Sequence, residues 1–198
     1  MPRSINMSPR WGFGRMVPSG AINMPPRWGF LNFSIDDFQL IRGELMANTY
    51  TQIYIQAVFA VQGRQNLIRP ERKEELHKYI TGIISRQGQK LLAIHCMPDH
   101  THILIGLKPN MALSNLVGDI KTGSTNHINE NRWVMGRFSW QEGFGAFSYS
   151  HSQLTDVIRY IQNQVEHHAK KNFREEYLEF LEKFQVPFEE RYLFDPVE

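Results

Sequence analysis

Cysteine is almost missing from this chain of 198 residues: Cys96 stands alone. A lone thiol excludes a disulfide framework and fits a reducing cytoplasm. No apolar run of about 18 residues occurs, which excludes a spanning helix. The opening MPRSINMSPRWGFGRMVPSG also lacks the continuous apolar stretch of an export signal. The expected location is therefore cytoplasmic, with no membrane partner. A dominant charge sign is absent too. Of the 22 basic and 20 acidic residues, five and three lie in residues 1–45, which leaves 17 of each sign in residues 46–198. Bulk electrostatics gives no argument for nucleic acid, so any such argument must come from a site. A glycine-rich P-loop pattern is likewise missing, and nothing points to nucleotide hydrolysis. What remains is a chain 41% hydrophobic and 12% aromatic, long enough for one domain with a real core plus an extension.

The extension is residues 1–45, rich in Pro, Gly, Met and Arg. Ser4 to Phe13 (SINMSPRWGF) recurs as Ala21 to Phe30 (AINMPPRWGF), offset by 17 residues. Two copies are too few for a stacked repeat fold. The stretch reads either as a disordered leader before a start at Met46 or as an aromatic and basic arm carrying Trp11 and Trp28; the weak periodicity favours the leader.

From Met46 onward the pattern is α+β. Thr49 to Gln62 alternates as a strand does, and after a turn at Gly63, Arg69 to Gln87 places Leu76, Ile80, Ile83 and Ile84 at helical spacing. Lys90 to Met97 and His100 to Leu107 read as two strands joined at Pro98-Asp99. Met111 to Asn131 reads as a helix, Arg137 to Ser150 as a glycine-interrupted strand, and Ser152 to about Asn172 as one long helix. A shorter acidic helix, Arg174 to Phe184, follows. The first six elements give the βαββαβ order of a ferredoxin-like antiparallel sheet with helices on one face, and C-terminal helices are added to it.

Two features carry chemistry. In His100-Thr101-His102 the histidines are two apart on a strand, so both rings point to one face and can converge on a divalent ion. Thr101, Ile103 and Ile105 then face the packed side. In the long helix, Leu154, Val157, Ile158, Ile161 and Val165 form the core stripe. Tyr160 and Gln164, four apart, share its flank, continued by His167 and Lys171. That flank offers a phenol and an amide oxygen to one point. A phenol is a competent nucleophile once its proton, with a pKa of about 10, is removed. Each feature taken alone also fits a packing or solvent-facing role.

Together, QIYIQAVFAVQGR, MPDHTHILIGL, WQEGFGAFSYS and YIQNQVEHH make residues 46–198 resemble the single-tyrosine HUH transposases of the insertion-sequence 200/605 (IS200-like) family. The resemblance implies metal ligation by His100, His102 and Gln164, with Tyr160 as nucleophile. It also implies cleavage and rejoining of single-stranded DNA at hairpin-bearing element ends through a 5′-phosphotyrosine, in a homodimer whose tyrosine helix can complete the histidine pair of the partner. Two imidazoles and an amide suit Mg²⁺ or Mn²⁺, with about three coordination positions left for phosphate oxygens and water. Lys121 and His167 are the candidate DNA contacts. Asp99 reads as a turn former, His168 as a supporting residue, and Gly143 and Gly145 as a bulged or bent strand. The alternatives are an inactive nucleic-acid-binding module of the same fold and a metal phosphodiesterase in which Tyr160 is idle.

Overall fold

The structure, a computed structural model, describes residues 50–189 and Leu193. The extension at 1–45, its repeat and the boundary at Met46 lie outside the described residues. The described residues form four strands: β1 (Tyr54–Ala60), β2 (Lys90–Cys96), β3 (His100–Gly106) and β4 (Gly145–Tyr149). Helices α1 (Pro70–Arg86) and α2 (Leu113–Glu130) separate them, and α3 (Leu154–Gln162), α4 (Gln164–His168) and α5 (Phe173–Lys183) follow. The sheet order is β2-β3-β1-β4, with every neighbouring pair antiparallel. β3 is thus inserted between β1 and β2, the split βαβ arrangement of the ferredoxin-like fold.

The period-two alternation of the strands builds two different faces. Ala57, Phe59, Ile103 and Ile105 pack against Leu76, Ile80 and Ile84 of α1 and Leu116, Val117 and Ile120 of α2. Each Phe, Ile, Leu or Val among them, fully buried, stabilises the fold by about 1.5–3 kcal/mol before entropy is counted. The opposite face presents Val58, Ala60 and Phe147 to Phe173, Phe180 and Leu181 of α5, while Ala93 and Leu104 meet Val157 and Ile161 of α3. Helices α1 and α2 share one face as the sequence predicts, and the C-terminal helices close the other. His100 and His102 point to this second face, and their register partners Ala60 and Val58 lie there too.

Two elements differ from the sequence reading. Of Arg137 to Ser150 only β4 pairs continuously, with one isolated bridge between Val61 and Trp140. Gly143, at φ 74°, turns the chain out of extended geometry. At Gly145 a Cβ would come within 2.7 Å of the Tyr177 ring, so this position admits α5 close to the strand. The long helix is also in pieces. Ser150 and Gln153 form a capping box at its start. Asn163, at φ −95° and ψ 23°, then breaks it between Tyr160 and Gln164, consistent with the poor helix propensity of Asn, whose amide competes for backbone partners. The break rotates the register. Gln164 turns inward and is buried, whereas Val165, expected in the core stripe, is 61% exposed.

Candidate functional site

The second face of β3 carries His100 and His102, 1% and 0% exposed, with ring centroids 5.0 Å apart. Each ring is held through Nδ1. His100 Nδ1 lies 2.7 Å from Asp99 Oδ1, and Asp99 Oδ2 accepts from Arg64 at 3.0 Å. The Arg64 guanidinium lies 5.1 Å from the centre of the Phe173 ring, which itself stacks on His100 at 4.1 Å. His102 Nδ1 lies 3.1 Å from the Gln56 amide, and Tyr149 donates its hydroxyl to the other end of that amide at 3.0 Å. An Asn or Gln amide placed the other way round serves the same partners in the opposite sense. In that sense His102 Nδ1 donates to the Gln56 oxygen and keeps a lone pair on Nε2.

Burial determines the electrostatics. It pulls the His100 imidazole down to about 3, against the raising hydrogen bond from Asp99. Burial alone would raise the Asp99 carboxyl, but the hydrogen bond and charge of His100 and those of Arg64 hold it down at about 2. His168, at the end of α4, is lowered to about 4 by burial and then by His102 and His167. His100 and His168 are therefore neutral near pH 7, the form in which imidazole binds a metal.

Around the two rings the C-terminal helices bring more donors. Glu176 of α5, 2% exposed, places Oε2 3.4 Å from His102 Nε2, 3.1 Å from His168 Nε2 and 4.0 Å from His100 Nε2. Among the described residues none of these four atoms has a hydrogen-bond partner. One donor atom from each of His100, His102, His168 and Glu176 lies within 4.8 Å of all the others. Buried polar atoms that converge without bonding one another fit a shared cation, so the residues present suit a divalent ion. Gln164, 0% exposed, reaches the group indirectly, since its Nε2 donates to Glu176 Oε1 at 3.0 Å and its own oxygen is unbonded.

Tyr160 is half-buried at the rim of this cluster. Its ring lies 6.1 Å from His102, 5.2 Å from His167 and 5.8 Å from Phe180. It lines a cleft of about 320 Å³ together with Tyr149, Asp156, His167, Glu176, Glu179, Phe180 and Lys183. Of the residues singled out from sequence, His100, His102, Gln164, Tyr160 and His167 thus gather on one face. Lys121 does not. Its ammonium donates to the carbonyl oxygens of Gln141 and Gly143, so it ties α2 to the approach to β4 and has little left for a phosphate. Sequence reasoning missed Glu176 entirely. The available signal was a carboxylate on the apolar stripe of α5, three residues after Phe173 and four before Phe180.

Comparisons with known proteins bear on the family of the chain. A family model described as "Transposase IS200 like" matches residues 49–164. The ISDra2 transposase TnpA of Deinococcus radiodurans is 22% identical over an alignment of 120 residues, with 57% of this chain and 84% of that protein covered. Among solved structures, a candidate transposase from Deinococcus radiodurans R1 aligns with a TM-score of 0.46 and 22% identity, covering 59% of this chain and 94% of that one. A REP-associated tyrosine transposase bound to a REP hairpin aligns with a TM-score of 0.47 and 17% identity, covering 61% and 72%. With more than half of its residues matched by that model, the chain belongs to the IS200-like transposase family.

Proposed function

We propose that the protein breaks and rejoins single-stranded DNA at hairpin-bearing element ends, with Tyr160 as nucleophile and His100, His102 and Gln164 around a divalent ion, Mg²⁺ or Mn²⁺. The observation that carries the reading is the position of the Tyr160 ring. It lies 6.1 Å from His102, between that buried pair and an open cleft, in a chain of a transposase family. The aromatic walls Tyr149, Tyr160 and Phe180 suit an unpaired base, because every base offers a π-face to stack.

The ion, when bound, supplies Lewis-acid polarisation of the scissile phosphate. The side chains do the rest. The phenolic oxygen of Tyr160 attacks phosphorus, the P–O3′ bond breaks, and the leaving 3′-oxygen takes up a proton from solvent water. The product pair is a 5′-phosphotyrosine and a free 3′-hydroxyl. The phenol's proton passes to His167, whose Nε2 is unbonded and whose pKa burial lowers from the ordinary value, so the ring is neutral at pH 7. Reversal on a new 3′-hydroxyl conserves the bond energy and needs no nucleotide cofactor. A homodimer of the domain from Met46 onward is the assembly the family resemblance implies.

The test is covalent capture. Denatured protein should retain labelled hairpin-bearing single strands after incubation with Mn²⁺ or Mg²⁺, and Tyr160→Phe should lose the adduct while still binding DNA. Adduct persisting in Tyr160→Phe would reassign the nucleophile, and cleavage without any adduct would favour hydrolysis by water.

A further inference from the structure

We infer that the metal centre of this chain has four protein donors, Glu176 Oε2 and the Nε2 atoms of His100, His102 and His168, and prefers a transition ion of the Mn²⁺ to Zn²⁺ class over Mg²⁺. The inference rests on the proposed function for what the ion does, but the ligand count stands on geometry. Two of the four donors, His168 and Glu176, lie beyond residues 49–164, the span matched to the family.

The distances set the case. Donors bound at about 2.0–2.2 Å and arranged around one ion stand roughly 3–3.5 Å apart when adjacent and about 4–4.4 Å apart when opposite. Glu176 Oε2 lies 3.1 Å from His168 Nε2 and 3.4 Å from His102 Nε2, both adjacent spacings, and 4.0 Å from His100 Nε2. The nitrogens are aimed by their far sides, since His100 Nδ1 is engaged by Asp99 and His102 Nδ1 by Gln56. Glu176 is aimed by Gln164, which occupies Oε1 and leaves Oε2 turned to the rings. Gln164 then acts on the ion through the carboxylate, as a positioning residue, rather than by direct ligation.

The donor chemistry selects the ion. Mg²⁺ binds oxygen and keeps several waters, whereas three imidazoles and one carboxylate suit borderline ions. Zn²⁺ should bind most tightly and, being tetrahedral, fill its sphere with protein donors. Mn²⁺, with six positions, would retain two for phosphate oxygens.

The full chain, stripped of metal, should be titrated with Mn²⁺, Zn²⁺ or Mg²⁺ alone, and the bound Mn²⁺ examined by pulsed electron paramagnetic resonance to count coupled imidazoles. Three imidazoles are expected in the native chain and two in His168→Ala, with Mn²⁺ bound at least tenfold more tightly than Mg²⁺. The isosteric Glu176→Gln should weaken Mn²⁺ binding about tenfold or more. Two imidazoles in the native chain, or unchanged Mn²⁺ affinity in Glu176→Gln, overturn the inference. Two imidazoles alongside an intact Tyr160 adduct would leave the proposed function standing, whereas three imidazoles without any adduct would remove that function and keep the ligand set.

Discussion

Asp99→Asn separates two roles that the sequence cannot distinguish, shaping the turn before β3 and holding His100. The turn depends on the backbone, because the Asp99 carbonyl accepts from Val61 N at 2.7 Å, and Asn preserves that bond. The side chain does more. It bonds His100 Nδ1 and Arg64 at once, and the Arg64 and Asp99 side chains are only 8% and 13% exposed. Lowering the carboxyl from 3.8 to about 2 despite burial corresponds to roughly 2 kcal/mol favouring the charged form. Asn removes that charge and leaves the Arg64 guanidinium buried without its anion. Loss of one partner from a buried pair costs about 3–5 kcal/mol. The expected loss is therefore about 2–5 kcal/mol, a large part of the roughly 5–15 kcal/mol available to a domain. Urea denaturation followed by tryptophan fluorescence measures it. The same protein should bind Mn²⁺ about 10–100-fold more weakly, because His100 loses its orienting carboxylate. A second substitution, Arg64→Met, should restore part of the stability, since the orphaned charge then disappears. A loss below about 1 kcal/mol together with unchanged Mn²⁺ affinity would reduce Asp99 to a turn residue and refute the reasoning.

Gln56→Leu keeps the volume of a buried strand residue but removes the amide that fixes the His102 tautomer. Calorimetric Mn²⁺ titration should show affinity falling about 10–100-fold, and an unchanged isotherm would mean that the ring is set by packing alone. Mixing His100→Ala with Tyr160→Phe protein should restore no cleavage if each chain supplies its own tyrosine, as the 6.1 Å ring distance within one chain suggests; restored cleavage would show sharing between subunits. Acid should destabilise the metal-free fold in a defined window. Burial, followed by the charge of Lys73, lowers His95 to about 4, and His168 and His100 are lowered to about 4 and about 3. The unfolded chain then binds more protons than the folded one, so this stability is complete above about pH 6.5 and is lost as pH falls toward 4. His95 alone accounts for of order 3 kcal/mol across that interval. Urea midpoints that stay level from pH 7 to 4.5 would contradict the assignment.

Most of the architecture was legible because the residues repeat with a clear period. Alternation at Ile53, Ile55 and Ala57 and again at Thr101, Ile103 and Ile105 marks strands, and Leu76, Ile80 and Ile84 mark a helix that buries those three residues. The His100 and His102 pair was legible for the same reason, since spacing by two fixes a common face. Periodicity failed where single residues decide. Nothing in the apolar pattern from Leu154 to Val165 announces the break at Asn163, so periodicity alone puts Val165 in the core and Gln164 on the same straight line as Tyr160. The aromatic-rich approach to β4 looked like strand, yet Lys121 bridging to its carbonyls and the turn at Gly143 hold most of it out of the ladder. Glu176 escaped because its helix is acidic overall. Glu175, Glu179 and Glu182 face solvent around it, and only its place between Phe173 and Phe180 distinguishes it from them.

The histidine-bearing side of the sheet is closed last in chain order. The four described strands and the α1 and α2 core are complete by Tyr149, whereas the groups covering Val58, Ala60, Leu104 and Phe147 begin at Leu154 and include Phe184 and Leu193. During synthesis the ribosome must therefore release these later residues before that surface is shielded from water and from other nascent chains. A protein cut short before Phe173 would keep its first core and both β3 imidazoles, but it would uncover Val58, Ala60 and Phe147 and lack the carboxylate of Glu176. On the proposed reading, the last helix among the described residues has two duties, covering that face of the sheet and supplying the carboxylate for the ion.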